Sequence, residues 1–167
     1  IQDRDVMDIR EKLRTRMNLE AAVTGEMIGI AIKVRPHDIC LVPERRQELT
    51  TEGGLDVLAG ESSVRWTIDR LRTGGIHVSL FIDPELKQID ASKRFGADAI
   101  EFQTASYSEA ASAAEVAREE REHVVGVAER VGGRQHRPRR QLLGYVLRRH
   151  VAELQVVALQ RDELGAL

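Results

Sequence analysis

The chain has 167 residues, 42% of them hydrophobic and 31% charged, with a net charge of −2 at pH 7, as expected of one globular domain with a sizeable core. That balance gives no global basicity to argue for nucleic acid and no acidic excess to argue for disorder. The single cysteine, Cys40, excludes an internal disulfide and fits a reducing compartment, while no apolar run approaches the roughly 20 residues of a membrane span or forms a secretory segment.

The chain opens on Ile1, and "IQDRDVMDIREKL" reads as a helix already inside a domain, as a fragment would. In it Val6, Ile9 and Leu13 recur at helical spacing with Asp3 as the cap. "RMNLEAA" is a short strand. "TGEMIGIAIKV" predicts a helix capped by Thr24, with a Met27, Ile30, Val34 stripe and an end at Pro36. "DICLV" is a second strand, followed by a long polar connection, "PERRQELTTEGGLDV". "SSVRWTIDRLRTGG" predicts a helix with Val64, Ile68 and Leu71 on one face and Gly74-Gly75 as its stop. "IHVSLFID" is the clearest strand, and "PELKQIDASKRFG" a helix with Pro84 in its first turn. "DAIEF" is the fourth strand, and an alanine-rich helix runs from Ser108 to about Glu122.

Strands alternating with helices across short connections imply parallel pairing, either in an open doubly wound sheet or in a (β/α)8 barrel. No glycine-rich nucleotide loop follows any strand, which favours the barrel. In both folds ligands bind beyond the carboxyl ends of the strands. From His123 onward the composition breaks: there is no lysine, isoleucine, asparagine, serine or threonine, and arginine carries nearly all the positive charge. The expected organisation is therefore a strand–helix domain over residues 1–122 and a divergent arginine-rich tail over residues 123–167.

Glu20 ends the first apolar strand. A carboxylate at a barrel mouth can exchange protons near neutral pH, although an ion-paired glutamate beside Arg14 or Arg16 is the blander reading. After Pro43 and Glu44 the connection offers Thr50, Thr51, Gly53 and Gly54, whose hydroxyls and backbone amides suit phosphate oxygens. An exposed connection capped by threonine is the alternative. Asp83 and Glu101 are carboxylates at or near strand ends, each more often a cap or an ion-pair partner than a catalyst. His37 and His77 precede their strands and are structural or solvated, while His123, His136 and His150 show no metal-ligand spacing. The run "RQHRPRR" lacks the interleaved aromatics of a nucleic-acid-binding surface.

The ordered string "DRDV…TRMNLEAAVTGEM…LVPERRQELTTEGGLDV…VSLFIDP…GADAIEFQTASY" closely resembles the pyridoxine 5′-phosphate synthase family of vitamin B6 biosynthesis, over residues 1 to about 122. The resemblance implies a TIM (β/α)8 barrel, here its strands three to six. It also implies condensation of 1-deoxy-D-xylulose 5-phosphate with 3-amino-2-oxopropyl phosphate, releasing phosphate and water without metal or organic cofactor. Glu20 matches the family's catalytic glutamate, which moves protons during imine formation and dehydration. Thr50 matches a substrate-binding threonine on a loop that closes over substrate. Cytoplasmic location and octamers built from dimers are implied as well, with no nucleic-acid or membrane partner.

The departures are specific. The chain starts just after the family's second strand, so the Asn/Asp/His cluster and the catalytic His and Arg of the first two strands have no counterpart. Gln103 and Ala105 stand where relatives often carry His and Gly. A later Ala-Gly-His-Gly strand end is absent, yet "GRQHRPRRQLLGYV" can be encoded by codons that give a glycine-histidine-glycine run one nucleotide later. Residues from about 123 onward are accordingly expected to be frame-displaced. Little or no synthase turnover is expected of this polypeptide. The alternatives are an inactive fragment of that enzyme, or another phosphate-binding barrel such as a lyase or isomerase.

Overall fold

A computed structural model describes residues 2–44, 53–103 and 110–120. Four strands, β1 (Asn18–Ala22), β2 (Asp38–Val42), β3 (His77–Ile82) and β4 (Ala99–Phe102), form one parallel sheet in chain order. Helix α1 (Asp3–Lys12) precedes β1, then α2 (Gly25–Val34), α3 (Glu61–Thr73) and α4 (Leu86–Phe95) connect successive strands, and α5 (Ala113–Glu120) follows β4. Among the described residues no helix is long and apolar enough to cross a membrane.

Register decides between the two architectures left open above. Leu19 pairs with Ile39 and Ile39 with Val78, while Ala21, Leu41, Leu80 and Ile100 form a second row on the same face. That face packs into one buried cluster with Ile28 and Ala31 of α2, Val64, Ile68 and Leu71 of α3, and Ile89, Ala91 and Phe95 of α4. Helices that all join the core through one face leave the other face as the wall of a lumen, whereas a doubly wound sheet is covered on both. The fold is a partial TIM (β/α)8 barrel.

The strand starts are stapled together by polar contacts. Arg16 grips Asp38 through two parallel bonds, Nε to Oδ2 at 3.0 Å and Nη2 to Oδ1 at 2.7 Å. His37 Nδ1 accepts the Met17 N–H at 2.9 Å, so His37 is structural, and His77 is exposed. Asp98 accepts the Val78 N–H at 3.0 Å and pairs with Arg72 at 3.4 Å. Conserving rigidity at this rim leaves the opposite one for chemistry.

Several local expectations are corrected. Asp3 is the first residue of α1 rather than its cap; Gln2 is the cap, and its N–H donates to Asp5 Oδ2 at 2.9 Å. Val6 is half-buried, and Ile9 and Leu13 are exposed, because α1 packs on α2 rather than on the sheet. In α2, Thr24 does cap, accepting the Met27 N–H at 3.3 Å, but the buried stripe is Ile28, Ala31 and Val34. "GEMIGIAIKV" is apolar nearly all round, so periodicity alone does not select the inward face. Arg35 (φ 50°), not Pro36, closes this helix from the left-handed region. Pro84 lies before the α4 cap, Glu85, instead of in the first turn. Helix α5 begins at Ala113, where Ser112 and Glu115 form a reciprocal cap. The tail expected from residue 123 lies outside the described residues.

Candidate active site

The lumen face carries a row of polar side chains. Glu20 of β1 is in register with Cys40 of β2, which is in register with Ser79 of β3, and Glu101 of β4 pairs with Phe81 on the same face. The Ser79 hydroxyl donates to Glu101 Oε1 at 2.7 Å, and Ile39 O, at 3.3 Å, is its longer alternative. Both side chains are nearly buried, at 8% and 5% exposure, so this is a charge-assisted bond shielded from water. Burial first, then the negative charge of Glu101 with a contribution from Glu20, pushes the Cys40 thiol well above its ordinary range, and the bond with Ser79 opposes this only in part. Cys40 is thus a protonated, unreactive lining residue.

Glu20 is exposed on this face, two residues before the end of β1. It stands at the open side of the row, while Glu101 occupies the dry side. Two carboxylates in such different surroundings are suited to different roles, the exposed one to proton exchange and the bonded one to holding a fixed negative field.

Thr50, together with Thr51, lies outside the described residues, which resume at Gly53 on the arm returning to α3. This arm is fastened to the strand ends. Leu55 N–H donates to Phe81 O at 2.8 Å, and Gly54 N–H donates to Asp83 Oδ1 at 3.0 Å. Val57 N–H donates to Gln88 Oε1 at 3.0 Å, while Gln88 Nε2 donates to Asp56 Oδ1 at 3.0 Å. Asp56 Oδ1 also accepts the Leu58 and Ala59 N–H groups at 3.2 and 3.0 Å. Desolvation would raise the Asp56 carboxyl, but the bonds from Gln88, Ala59 and Leu58, with the Lys87 charge, outweigh it and hold the group below its ordinary value.

These contacts revise the phosphate reading of Gly54. A Cβ on Gly54 would lie 2.5 Å from Asp83 N and 2.7 Å from Ile82 C, so glycine is required there by close approach to β3. Its amide is given to Asp83 rather than held open for an anion. Gly53 has φ +105°, a conformation side chains avoid, beside Gln103 at the end of β4. Among the described residues Asp83 is likewise a backbone anchor, neither a helix cap nor an ion-pair partner.

Sequence reasoning singles out Glu20 and does not mention Ser79, and it reads Glu101 as a cap or an ion-pair partner, whereas its partner here is the Ser79 hydroxyl. A signal was present: inside "DICLV", "HVSLFI" and "AIEF" the apolar runs are interrupted at Cys40, Ser79 and Glu101; pairing aligns the first two, and Glu101, two residues beyond Ser79's partner Ala99, shares their face. Buried parallel strands usually read as continuous apolar runs, so aligned polar interruptions mark a lumen.

Residues 1–133 match the protein family described as "Pyridoxal phosphate biosynthesis protein PdxJ". The chain is also 58% identical, over 119 residues, to the pyridoxine 5′-phosphate synthase of Syntrophotalea carbinolica. That alignment takes in 71% of this chain and 50% of the relative, so the chain spans about half the length of the curated relative it matches.

Proposed function

The chain belongs to the PdxJ family of pyridoxal phosphate biosynthesis proteins, and from that premise we propose that it carries the Glu20 and Thr50 portion of a pyridoxine 5′-phosphate synthase. The reaction would join 1-deoxy-D-xylulose 5-phosphate to 3-amino-2-oxopropyl phosphate, with loss of phosphate and water. Supporting this is one observation above the rest: an exposed Glu20 in register with Cys40 and Ser79, on the lumen face that Glu101 shares. Glu20 would take a proton during imine formation and return it during dehydration, because a solvent-accessible carboxylate exchanges protons readily. Glu101, fixed by Ser79, would add negative potential opposite a cationic iminium. Thr50, in the connection that the Gly54–Leu55 arm fastens to β3, would hold a substrate phosphate.

The synthase would work in the cytoplasm as a homo-oligomer, an octamer assembled from dimers. Residues 123–167 are proposed to be a frame-displaced continuation, and genomic codons unable to yield the glycine-histidine-glycine run would refute that. Turnover by this polypeptide alone is expected to be little or none, since the chain spans half of the relative; measured pyridoxine phosphate formation would overturn the expectation. The direct test of the reading is calorimetric titration with 1-deoxy-D-xylulose 5-phosphate. Binding that survives Glu20→Gln and weakens on Thr50→Ala supports it, and a chain that binds no sugar phosphate sinks it.

A further inference from the structure

Glu101 holds its place in the lumen on little support. It is 5% exposed, and among the described residues no basic side chain pairs with it, although buried charges are ordinarily paired. It receives instead the Ser79 hydroxyl at Oε1, 2.7 Å away. Ser79 is itself 8% exposed and has a neutral acceptor within reach, Ile39 O at 3.3 Å. A serine placed only for structure could give its proton to that carbonyl. Here the shorter bond goes to the carboxylate.

The placement of the serine suits this task. β3 is an inner strand, between β2 and β4, so Ser79 is carried on a rigid element. Its register partner on β4 is Ala99, whereas Glu101 pairs with Phe81, two residues nearer the strand ends. The hydroxyl therefore reaches Glu101 from deeper in the lumen, and a ligand at the strand ends meets the carboxylate from the other direction. The charge is felt on the far side of Ser79 as well: after burial, it is the largest cause that raises the Cys40 thiol, which pairs in register with Ser79. In so dry a place, one donor to a carboxylate and one full charge on a ligand both weigh more than in water.

We propose that Ser79 is a positioning residue for substrate selection: its hydroxyl holds the Glu101 carboxylate charge in place, so that the lumen takes an ammonium-bearing ketone phosphate in preference to one with a hydroxyl at the same position. This rests on the synthase reading above, from which the amine-bearing substrate is taken. Ser79 touches no reacting group in this scheme. Without its hydroxyl the carboxylate is free to turn, or to shed its charge by taking a proton. Either change removes the advantage of a cation over a neutral group of the same size.

The test titrates the full chain calorimetrically with 3-amino-2-oxopropyl phosphate and with 3-hydroxy-2-oxopropyl phosphate, which carries a hydroxyl in place of the amine. Wild type is expected to bind the amine more tightly. Ser79→Ala is expected to lose about tenfold of that preference, the size of a hydrogen bond to a charged group, with affinity for the hydroxy ligand hardly changed. Ser79→Thr keeps the hydroxyl and should keep the preference. Ser79→Ala added to Glu101→Gln should do nothing further, since the serine acts through the carboxylate. No preference in wild type, a preference unchanged in Ser79→Ala or equally lost in Ser79→Thr, or a further loss in the Glu101→Gln background refutes the role. Equal weakening of both ligands marks a structural effect only and refutes it too. Should Ser79→Ala not fold, Ser79→Cys, whose thiol is a weak donor, carries the same comparison. A wild-type chain that binds neither ligand counts against the synthase reading, and infrared spectroscopy then decides the part of the serine. The Glu101 carboxylate band, isolated by difference against Glu101→Gln, should shift in Ser79→Ala, and an unmoved band overturns the proposal.

Discussion

Removing the Ser79 hydroxyl tests the lumen row most directly. In Ser79→Ala the Glu101 carboxylate, 5% exposed, loses a donor 2.7 Å away. Hydrogen bonds to charged groups contribute about 1.5–3 kcal/mol, and a buried acceptor left unsatisfied incurs a desolvation cost of similar size. The substitution should therefore destabilise the chain by about 2 kcal/mol, or close to 1 M in urea midpoint at a slope of about 2 kcal/mol/M. The double variant Ser79→Ala/Glu101→Leu removes both polar partners together. Replacing a bonded pair by apolar groups is nearly neutral, so the double variant should be at least as stable as the single one. Urea unfolding followed by circular dichroism measures all three proteins. A Ser79→Ala cost below about 0.5 kcal/mol would mean the bond is solvent-screened, because exposed pairs typically contribute that little. A double variant less stable than the single by a further 2 kcal/mol would refute the argument that the charge, once orphaned, is the source of the loss.

Three further outcomes follow from the same geometry. Native Cys40 should resist a thiol reagent such as dithionitrobenzoate at pH 8 and react only at the rate of unfolding, since burial and the Glu101 charge raise its pKa; rapid labelling of folded protein would contradict this. Asp56 titrates below its ordinary value when folded, so between the folded value and about 4 the unfolded state binds more protons. The contribution of Asp56 is then complete above pH 4 and lost as pH falls through the folded value. Urea midpoints from pH 2 to 6 should show a loss in wild type that Asp56→Asn lacks. Ile68→Ala, at a fully buried position of α3 in the core, should destabilise by about 2–5 kcal/mol in the same unfolding assay.

Much of the architecture was legible from local pattern. The strand segments around Leu19, Ile39, Val78 and Ile100, and the stop signal at Gly74-Gly75, are set by interactions within a few residues, which periodicity and turn chemistry report. The weight placed on Glu20 came from its position at the end of a strand in a family-specific string, and the lumen face is where it stands. The α2 stripe was misread because an almost wholly apolar helix does not encode its own orientation; the sheet it packs against does. Asp83 was misread for a related reason: its partner is a backbone amide 29 residues away, contributed by a connection with no periodic signal.

Sequence by itself therefore determined the order of strands and helices, the family, and the residues worth suspecting. Tertiary structure alone decided that the helices share one face, that Ser79 and Glu101 meet across 22 residues of chain, and that Gly54 is clamped rather than open. The division has one physical cause. Element formation is governed by neighbours along the chain, whereas strand register and the return of a loop onto a strand end are closed by contacts between distant residues, and no local spacing specifies those.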